Sequence, residues 1–493
     1  MSFAARVPAE LLGEIVTYFS RDSDHETLQQ LALTTRYFHL LSRPVLFRSF
    51  KFHPYSMGYD MPGLSNLLPI LLASELDRAR QRLEFWASEM IAPHVLVCDV
   101  APLTFEEIGP RLSAEEDPYI LLAAFFQCLP RFTKLQCFVG IHVHFTRAAM
   151  ANLCVLPNLR SVTIAEGTGT VSAGELGLEV APQSLKLDVF QFYNNEESQE
   201  TWWFRALCPD TLHLLKLEMS TRFYQIFFSG IHSSIPCFPN VHTLSIELGR
   251  LAAPLHLIPL SKFPAVQCLD LTGVYIRGYL PAFPELDGPG YCPLLVDYTG
   301  PYHILPLLHF SNLRCLTIDI CNLGNFLETI CSISKPNNIE LLDITLNNSV
   351  PSLGSLRDLL PDLKELLLTI VHYPYLSVAH LLLDDLPSSL PPNIIKLAIK
   401  WQFAEVLVPS LPELKDDIVS QRPTLKTLWI HCPGFVYVWA KMPDGEHSTI
   451  IGGTKAAERL LLEFERLFYG YWRTQDFDSN TDSDSDSDSG LDE

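Results

Sequence analysis

Phe310-Ser311-Asn312-Leu313-Arg314-Cys315-Leu316-Thr317-Ile318 is the stretch on which the fold of this chain turns. Leu316 and Ile318 are two residues apart, so in a strand both point to one face and Thr317 points to the other. Leu313, three positions ahead of Leu316, is placed to pack the preceding turn onto that apolar face. The phrase is a Pro or Asn followed by Leu-x-x-Leu-x-Leu, and it recurs. It reads Leu156-Pro157-Asn158-Leu159-Arg160-Ser161-Val162-Thr163-Ile164, then Phe238-Pro239-Asn240-Val241-His242-Thr243-Leu244-Ser245-Ile246. Further copies are centred on Val266 to Leu271, Leu363 to Leu368 and Leu425 to Ile430. Weaker ones lie near Pro130, Pro182, Pro209, Asn338 and Pro392. Adjacent copies are mostly about 25 to 31 residues apart, and the wider gap between Pro264 and Asn312 holds an eroded copy at Pro293-Leu294-Leu295-Val296.

One such unit cannot bury its own apolar face, so neighbours must stack into a continuous core. Phrase and period resemble leucine-rich repeats. Leu316-x-Ile318-x-x-Cys321 and Leu342-x-Ile344-x-x-Asn347 extend the phrase as that family does. The resemblance implies that Cys321 and Asn347 satisfy backbone groups inside the turn. Helix candidates fall ahead of copies: Tyr119 to Cys128 before Pro130, and Phe326 to Ile333 before Asn338. The first strand is expected over His94 to Asp99. Thr454 can cap a terminal helix carrying Ala457, Leu460, Leu461, Phe464, Leu467 and Phe468 on one face, with Gly470 as its stop. A mixed α/β domain with several similar strands is the alternative.

The first fifty residues have another character. Pro8 suits a first helical turn, and Leu11, Leu12, Ile15 and Phe19 follow at helical spacing. Ser23 with Glu26 forms a capping-box pattern for a second helix burying Leu28, Leu31 and Ala32. Thr34 or Thr35 can cap a third helix carrying Tyr37, Phe38, Leu40 and Leu41, which Pro44 is expected to end at Arg43. Leu31-Ala32-Leu33-Thr34-Thr35-Arg36-Tyr37-Phe38 and Arg43-Pro44-Val45-Leu46-Phe47-Arg48 resemble the fungal form of the F-box. Val7 departs from the Leu usual before the Pro, and is smaller but still apolar. The resemblance implies binding to a Skp-type adaptor and, through it, to a cullin–RING ubiquitin ligase. It also implies that Pro8, Leu11, Leu12, Ile15, Leu28 and Leu31 contribute to that contact.

The 493 residues are 48% hydrophobic and 18% charged, with a formal net charge of −21. That charge opposes binding to a nucleic-acid backbone or an anionic membrane. The 12 cysteines are scattered singly, as expected for reduced thiols inside a cell. Arg6, Glu10 and Glu14 interrupt any leader-like apolar core, and no stretch reaches the roughly 18 apolar residues of a membrane helix. A cytoplasmic or nuclear location is therefore expected. From Thr474 the chain becomes Asp/Ser-rich, ending through Ser483-Asp484-Ser485-Asp486-Ser487-Asp488-Ser489, a composition expected to stay disordered.

Catalytic patterns do not assemble. Gly167-Thr168-Gly169 lacks dinucleotide-site spacing, and Gly452-Gly453-Thr454-Lys455 reads as a helix cap. His142-x-His144 has no third metal ligand nearby in sequence. Trp202-Trp203-Phe204 reads as core packing ahead of a partner patch. The chain is thus expected to be an α/β, non-enzymatic adaptor without cofactor or metal. Its expected parts are an F-box (1–50), a helical linker (51–92), a leucine-rich-repeat-like solenoid (93–450), a capping helix (451–473) and a disordered acidic tail (474–493). Thr163, Ser245, Asp270, Thr317 and Asp343, each between two inward positions, are the candidates for holding a target protein. A repeat scaffold whose N-terminal helices only cap the solenoid is the competing expectation.

Overall fold

The computed structural model describes residues 16, 21–59, 67–70, 73–104, 119–165, 168–169, 184–193, 203–204, 206–219, 236–248, 258–272, 291–333, 338–347, 354–371, 386–401, 411–432, 435–443 and 445–452. The fold is mixed α/β, built on open and mostly parallel sheet. Two compact units divide the chain between Leu295 and Val296.

In the first unit, helices α1 (Arg21–Thr34) and α2 (Arg36–Leu46) precede the sheet. Its strands are β1 (Ser49–Phe52), β2 (Val97–Val100), β3 (Cys137–Ile141), β4 (Ser161–Ala165), β5 (Val189–Tyr193), β6 (Leu214–Met219), β7 (Thr243–Leu248) and β8 (Cys268–Asp270). They lie side by side in chain order, every pair parallel. Helices α3 (Ala73–Trp86), α4 (Ile120–Cys128) and α5 (Arg147–Cys154) fall between strands. In the second unit, β9 (Asp297–Gly300), β10 (Cys315–Cys321), β11 (Leu341–Asn347), β12 (Glu365–Val371), β13 (Lys396–Trp401) and β14 (Thr427–Cys432) repeat the parallel order. An antiparallel hairpin, β15 (Phe435–Met442) and β16 (Gly445–Gly452), follows. Helices α6 (Leu323–Ser332), α7 (Gly354–Leu359) and α8 (Leu411–Gln421) precede β11, β12 and β14.

The repeated phrase explains each step. Leu313, Leu363 and Leu425 are at most 1% exposed, and so are the strand residues Leu316, Leu366 and Leu428. Each such leucine removed from water contributes about 1.5–3 kcal/mol. The segment before the strand is a β-turn: the N–H of Leu363 donates to the Leu360 carbonyl at 3.2 Å, and that of Leu425 to the Arg422 carbonyl at 3.0 Å. Pro361 and Pro423 occupy the second turn position, where their fixed φ is already correct. The turn Asn then ties one copy to the one before it. Nδ2 of Asn158, Asn240, Asn338 and Asn393 donates to the carbonyls of Thr133, Asp210, Ser311 and Pro361 at 2.7 to 3.0 Å. Thr424 does the same toward Pro392 at 3.1 Å.

Several expectations need correction. The segment 51–92 is helical over Ala73–Trp86, but it also holds strands Ser56–Tyr59 and Leu67–Ile70. The sheet begins earlier than expected, at Ser49–Phe52, and the strand foreseen over His94 to Asp99 is Val97–Val100. Ser23 lies inside α1 rather than capping it. Pro44 sits within α2, which runs on to Leu46. The helix bridges the missing proline N–H because Phe47 N–H still reaches the Arg43 carbonyl at 2.9 Å, and Arg43 Nε bonds back to His39 at 3.1 Å. Asn347 pairs with Val371 as the last residue of β11, and its buried Oδ1 has no hydrogen-bond partner among the described residues; the turn it was expected to serve lies outside them. The hairpin β15–β16, unforeseen in sequence, succeeds the last parallel strand. The expected terminal helix after Thr454 and the acidic tail lie outside the described residues.

Candidate protein-interaction surfaces

The N-terminal helices have a small core of their own. Val16, Leu28 and Leu46 are buried together, with Ala32, Leu41, Val45 and Phe47 packed against them. Thr35 caps α2, its Oγ1 accepting from the Phe38 N–H at 3.2 Å. What the helices do not bury is informative: Leu33 is 80% exposed, Leu40 52% and Tyr37 40%. Leu33 lies at the end of α1, and Tyr37 and Leu40 lie on α2. Of the residues expected to meet an adaptor, Leu28 is fully buried and supports the module's core, and Leu31 is half-buried. Pro8, Leu11, Leu12 and Ile15 lie outside the described residues. Only Phe47 and Arg48 separate α2 from β1, and the Phe47 ring packs edge-on to Trp86 and Phe85 at 5.4 and 5.8 Å.

The second surface is the row of residues between the two inward positions of each strand. In the first unit the register aligns Lys51, Asp99, Val139, Thr163, Gln191, Lys216, Ser245 and Asp270 across neighbouring strands. Three of the five target candidates, Thr163, Ser245 and Asp270, therefore stand in one line. They are already engaged sideways. Thr163 Oγ1 and Tyr193 Oη donate to Gln191 Oε1 at 3.4 and 3.3 Å. Ser245 Oγ donates to Asp270 Oδ2 at 3.2 Å, and Asp270 Oδ1 accepts from the Thr272 N–H at 3.1 Å. Lys216 Nζ lies 5.5 Å from the Tyr193 ring centroid, within cation–π range. Asp99 is partly buried, which raises its carboxyl above the usual range against the pull of Lys51 and His53.

In the second unit Thr317 and Asp343 are register partners, with Thr299 before them and Leu367, Ala398 and Trp429 after. Asp343 and Ser245 are only 6% and 9% exposed, so they brace the row more than they offer it. Gln191, Lys216 and Lys51 were missed in sequence. Gln191 and Lys51 stand between phenylalanines, Phe190 and Phe192 or Phe50 and Phe52, where a search for Leu-x-Leu does not look. Lys216 stands between Leu215 and Leu217 and was legible.

Other singled-out residues are structural. Trp203 is 1% exposed and packs against Phe145 and Phe190 at 5.4 and 5.5 Å; Phe204 meets Phe238. His144 stacks on Tyr119 at 4.4 Å, and the His142 carbonyl accepts from the buried Tyr55 hydroxyl. Among the described residues no three His, Cys, Asp or Glu side chains gather as a metal site, and no helix is long and apolar enough to cross a membrane. No protein-family model and no curated protein matches the chain.

Proposed function

We propose that this chain is the substrate-recognition subunit of a cullin–RING ubiquitin ligase. In this reading the helical module binds a Skp-type adaptor, and a leucine-rich-repeat-like solenoid binds the target protein. The single observation that carries the reading is the module's surface. A pair of helices with its own core nonetheless exposes three large apolar side chains, Leu33, Tyr37 and Leu40, within eight residues of chain, and exposed apolar surface is what a partner would cover. The copies stacked in chain order, several of them closed by a turn and tied to the last by an Asn or Thr, support the solenoid. Such a receptor catalyses nothing itself. It raises the effective concentration of a target lysine near the ubiquitin-loaded enzyme, and the short junction between α2 and β1 limits how far the two binding surfaces can drift apart.

A second reading has an observation of its own: Phe47 and α2 lead straight into the first strand, as helices that merely cap the sheet would. Co-purification with a Skp-type adaptor separates the two. Leu33→Asp with Leu40→Asp, and Leu11→Asp with Ile15→Asp, should abolish capture while thermal melting stays cooperative. A folded wild-type chain that captures no adaptor leaves the capping reading.

A further inference from the structure

Two histidines stand side by side immediately ahead of strands β6 and β7. His213 precedes Leu214 and His242 precedes Thr243, which are register partners, and the His242 N–H donates to the His213 carbonyl at 2.9 Å. Neighbouring strands lie about 4.8 Å apart, so the two side chains leave the turn edge one strand spacing from each other. Both are exposed, and their rings stack with centroids 5.7 Å apart and planes at 27°. One ring is already oriented. His213 Nδ1 lies 3.2 Å from the Asn240 carbonyl, which can only accept, so Nδ1 carries the proton and Nε2 keeps its lone pair. Asn240 is itself pinned, because its Nδ2 donates to the Asp210 carbonyl at 2.7 Å. A backbone carbonyl on the far nitrogen is one of the usual outer partners of a metal-binding imidazole. It sets the tautomer and raises the basicity of the nitrogen that binds.

The spacing of the pair fits one ion. Two imidazoles on one tetrahedral metal, at about 2.0–2.1 Å per nitrogen, hold their ring centroids roughly 5 Å apart. The observed 5.7 Å is within about an ångström of that, a change that side-chain torsions supply without moving a strand. Imidazole suits zinc, nickel and copper, whereas magnesium and calcium take oxygen ligands.

We propose that His213 and His242 together bind one divalent transition-metal ion of the zinc, nickel and copper class on the turn edge of the first unit, with water in the remaining positions. The site needs no adaptor and stands or falls separately from the ligase reading. The test is titration calorimetry of Ni(II) into the full-length chain, free of any affinity tag, beside His213→Gln and His242→Gln. Both positions are exposed, and equal unfolding midpoints without metal confirm that the variants fold. Every thiol is present in all three proteins, so a difference between them reads the two histidines. Loss of an outer partner alone typically weakens a metal site by about 10–100-fold, so losing one of two ligands should weaken Ni(II) binding by at least about tenfold in either variant. A large excess of Mg(II) should leave wild-type binding unchanged. Equal binding by wild type and either variant, including no binding by any, or displacement by Mg(II), would overturn the proposal.

Discussion

Between the inward positions of its strands the first unit carries Lys51, Asp99, Thr163, Gln191, Lys216, Ser245 and Asp270, with Val139 the apolar exception. The second unit starts alike, with Thr299, Thr317 and Asp343, and then turns apolar through Leu367, Ala398 and Trp429, all three buried. Leu366-Leu367-Leu368, Leu397-Ala398-Ile399 and Leu428-Trp429-Ile430 are thus covered on both faces, the pattern of an interior parallel strand. The inward rows differ too. The first unit's core combines Phe50, Phe52, Phe125, Phe138, Phe145, Phe190 and Trp203 with aliphatic residues such as Val162, Ile164 and Leu244, and the second's is mainly leucine and isoleucine with fewer aromatics, among them Tyr298, Phe326 and Trp439. One parallel ladder therefore accepts two chemistries on each face. The backbone pairing sets position, and the side chains set what that position does. The polar middle row leaves hydrogen-bonding groups on the first unit's sheet, and the apolar strands of the second unit are packed on both faces.

Core removal should expose the difference most strongly. Trp203→Ala takes out the ring that joins Phe145 to Phe190, with an expected loss of about 4 kcal/mol in denaturant unfolding. Leu366→Ala in the second unit should lose about 3 kcal/mol, since a smaller volume is vacated. Hydrogen exchange should place the first loss among β3 to β6 and the second among β11 to β13. Equal protection changes in both units would erase the contrast. Next comes Arg422, 8% exposed, whose guanidinium donates to the carbonyls of Leu390, Gln421 and Ser388, each at 2.8 Å. It closes the turn before β14 where aliphatic packing alone leaves three acceptors open. Arg422→Ala should cost about 3 kcal/mol, and Arg422→Lys should recover only part, because an ammonium does not reproduce the fork.

The physical limits of the sequence are visible in the same residues. Leu313, Leu363 and Leu425 revealed the turn and strand because one copy contains the whole local signal. The eroded copy at Leu295 proved to lead into β9 for that reason. Phe50-Lys51-Phe52 was passed over because aromatic inward residues break the leucine pattern, and its partner β2 is far along the chain. The function of the turn asparagines was hidden for a different reason: their acceptors lie 25 to 32 residues back, in another copy. Asn347 and Cys321 were assigned by resemblance to backbone groups inside the turn, but they are not register partners, since Cys321 pairs with Leu346 and Asn347 with Val371. Of the candidate site, the row holding Thr163, Ser245 and Asp270 was legible from alternation alone. Exposure of Leu33 and Leu40 was not, because helical periodicity gives a face but not what covers it.

Two smaller effects test the packing contrast from each side. Gly140 stands at an inward position of β3 where a Cβ would come within 3.1 Å of the Phe138 ring and 3.3 Å of Val143. The Phe138 ring and Val143 would have to give by a few tenths of an ångström, so Gly140→Ala should cost about 1 kcal/mol. A neutral result would mean that the rings repack freely. In the second unit His303 is partly buried, its Nε2 without a hydrogen-bond partner among the described residues, and burial lowers its pKa to about 4. The unfolded chain takes up a proton near pH 6.5, and the folded chain resists until about pH 4. Stability is therefore complete above the unfolded value and declines as pH falls between the two, by about 2 kcal/mol near pH 5. His303→Gln should flatten that slope in urea titrations at a series of pH values.

The smallest effect bears on what the two units share. Each Asn rung makes one exposed hydrogen bond to a turn carbonyl, so Asn393→Ala should cost about 0.5–1 kcal/mol. Asn240→Ala in the first unit makes the equivalent change, and its rung spans Asp210 in the same geometry at 2.7 Å. Because the bond is to backbone, its worth should not depend on whether the core beneath is aromatic or aliphatic. The two variants are therefore expected to lose the same amount within error by denaturant unfolding. A markedly larger loss at either position would show that the ladder does more than tie turns together there, and that the scaffold itself differs between the units as well as its side chains.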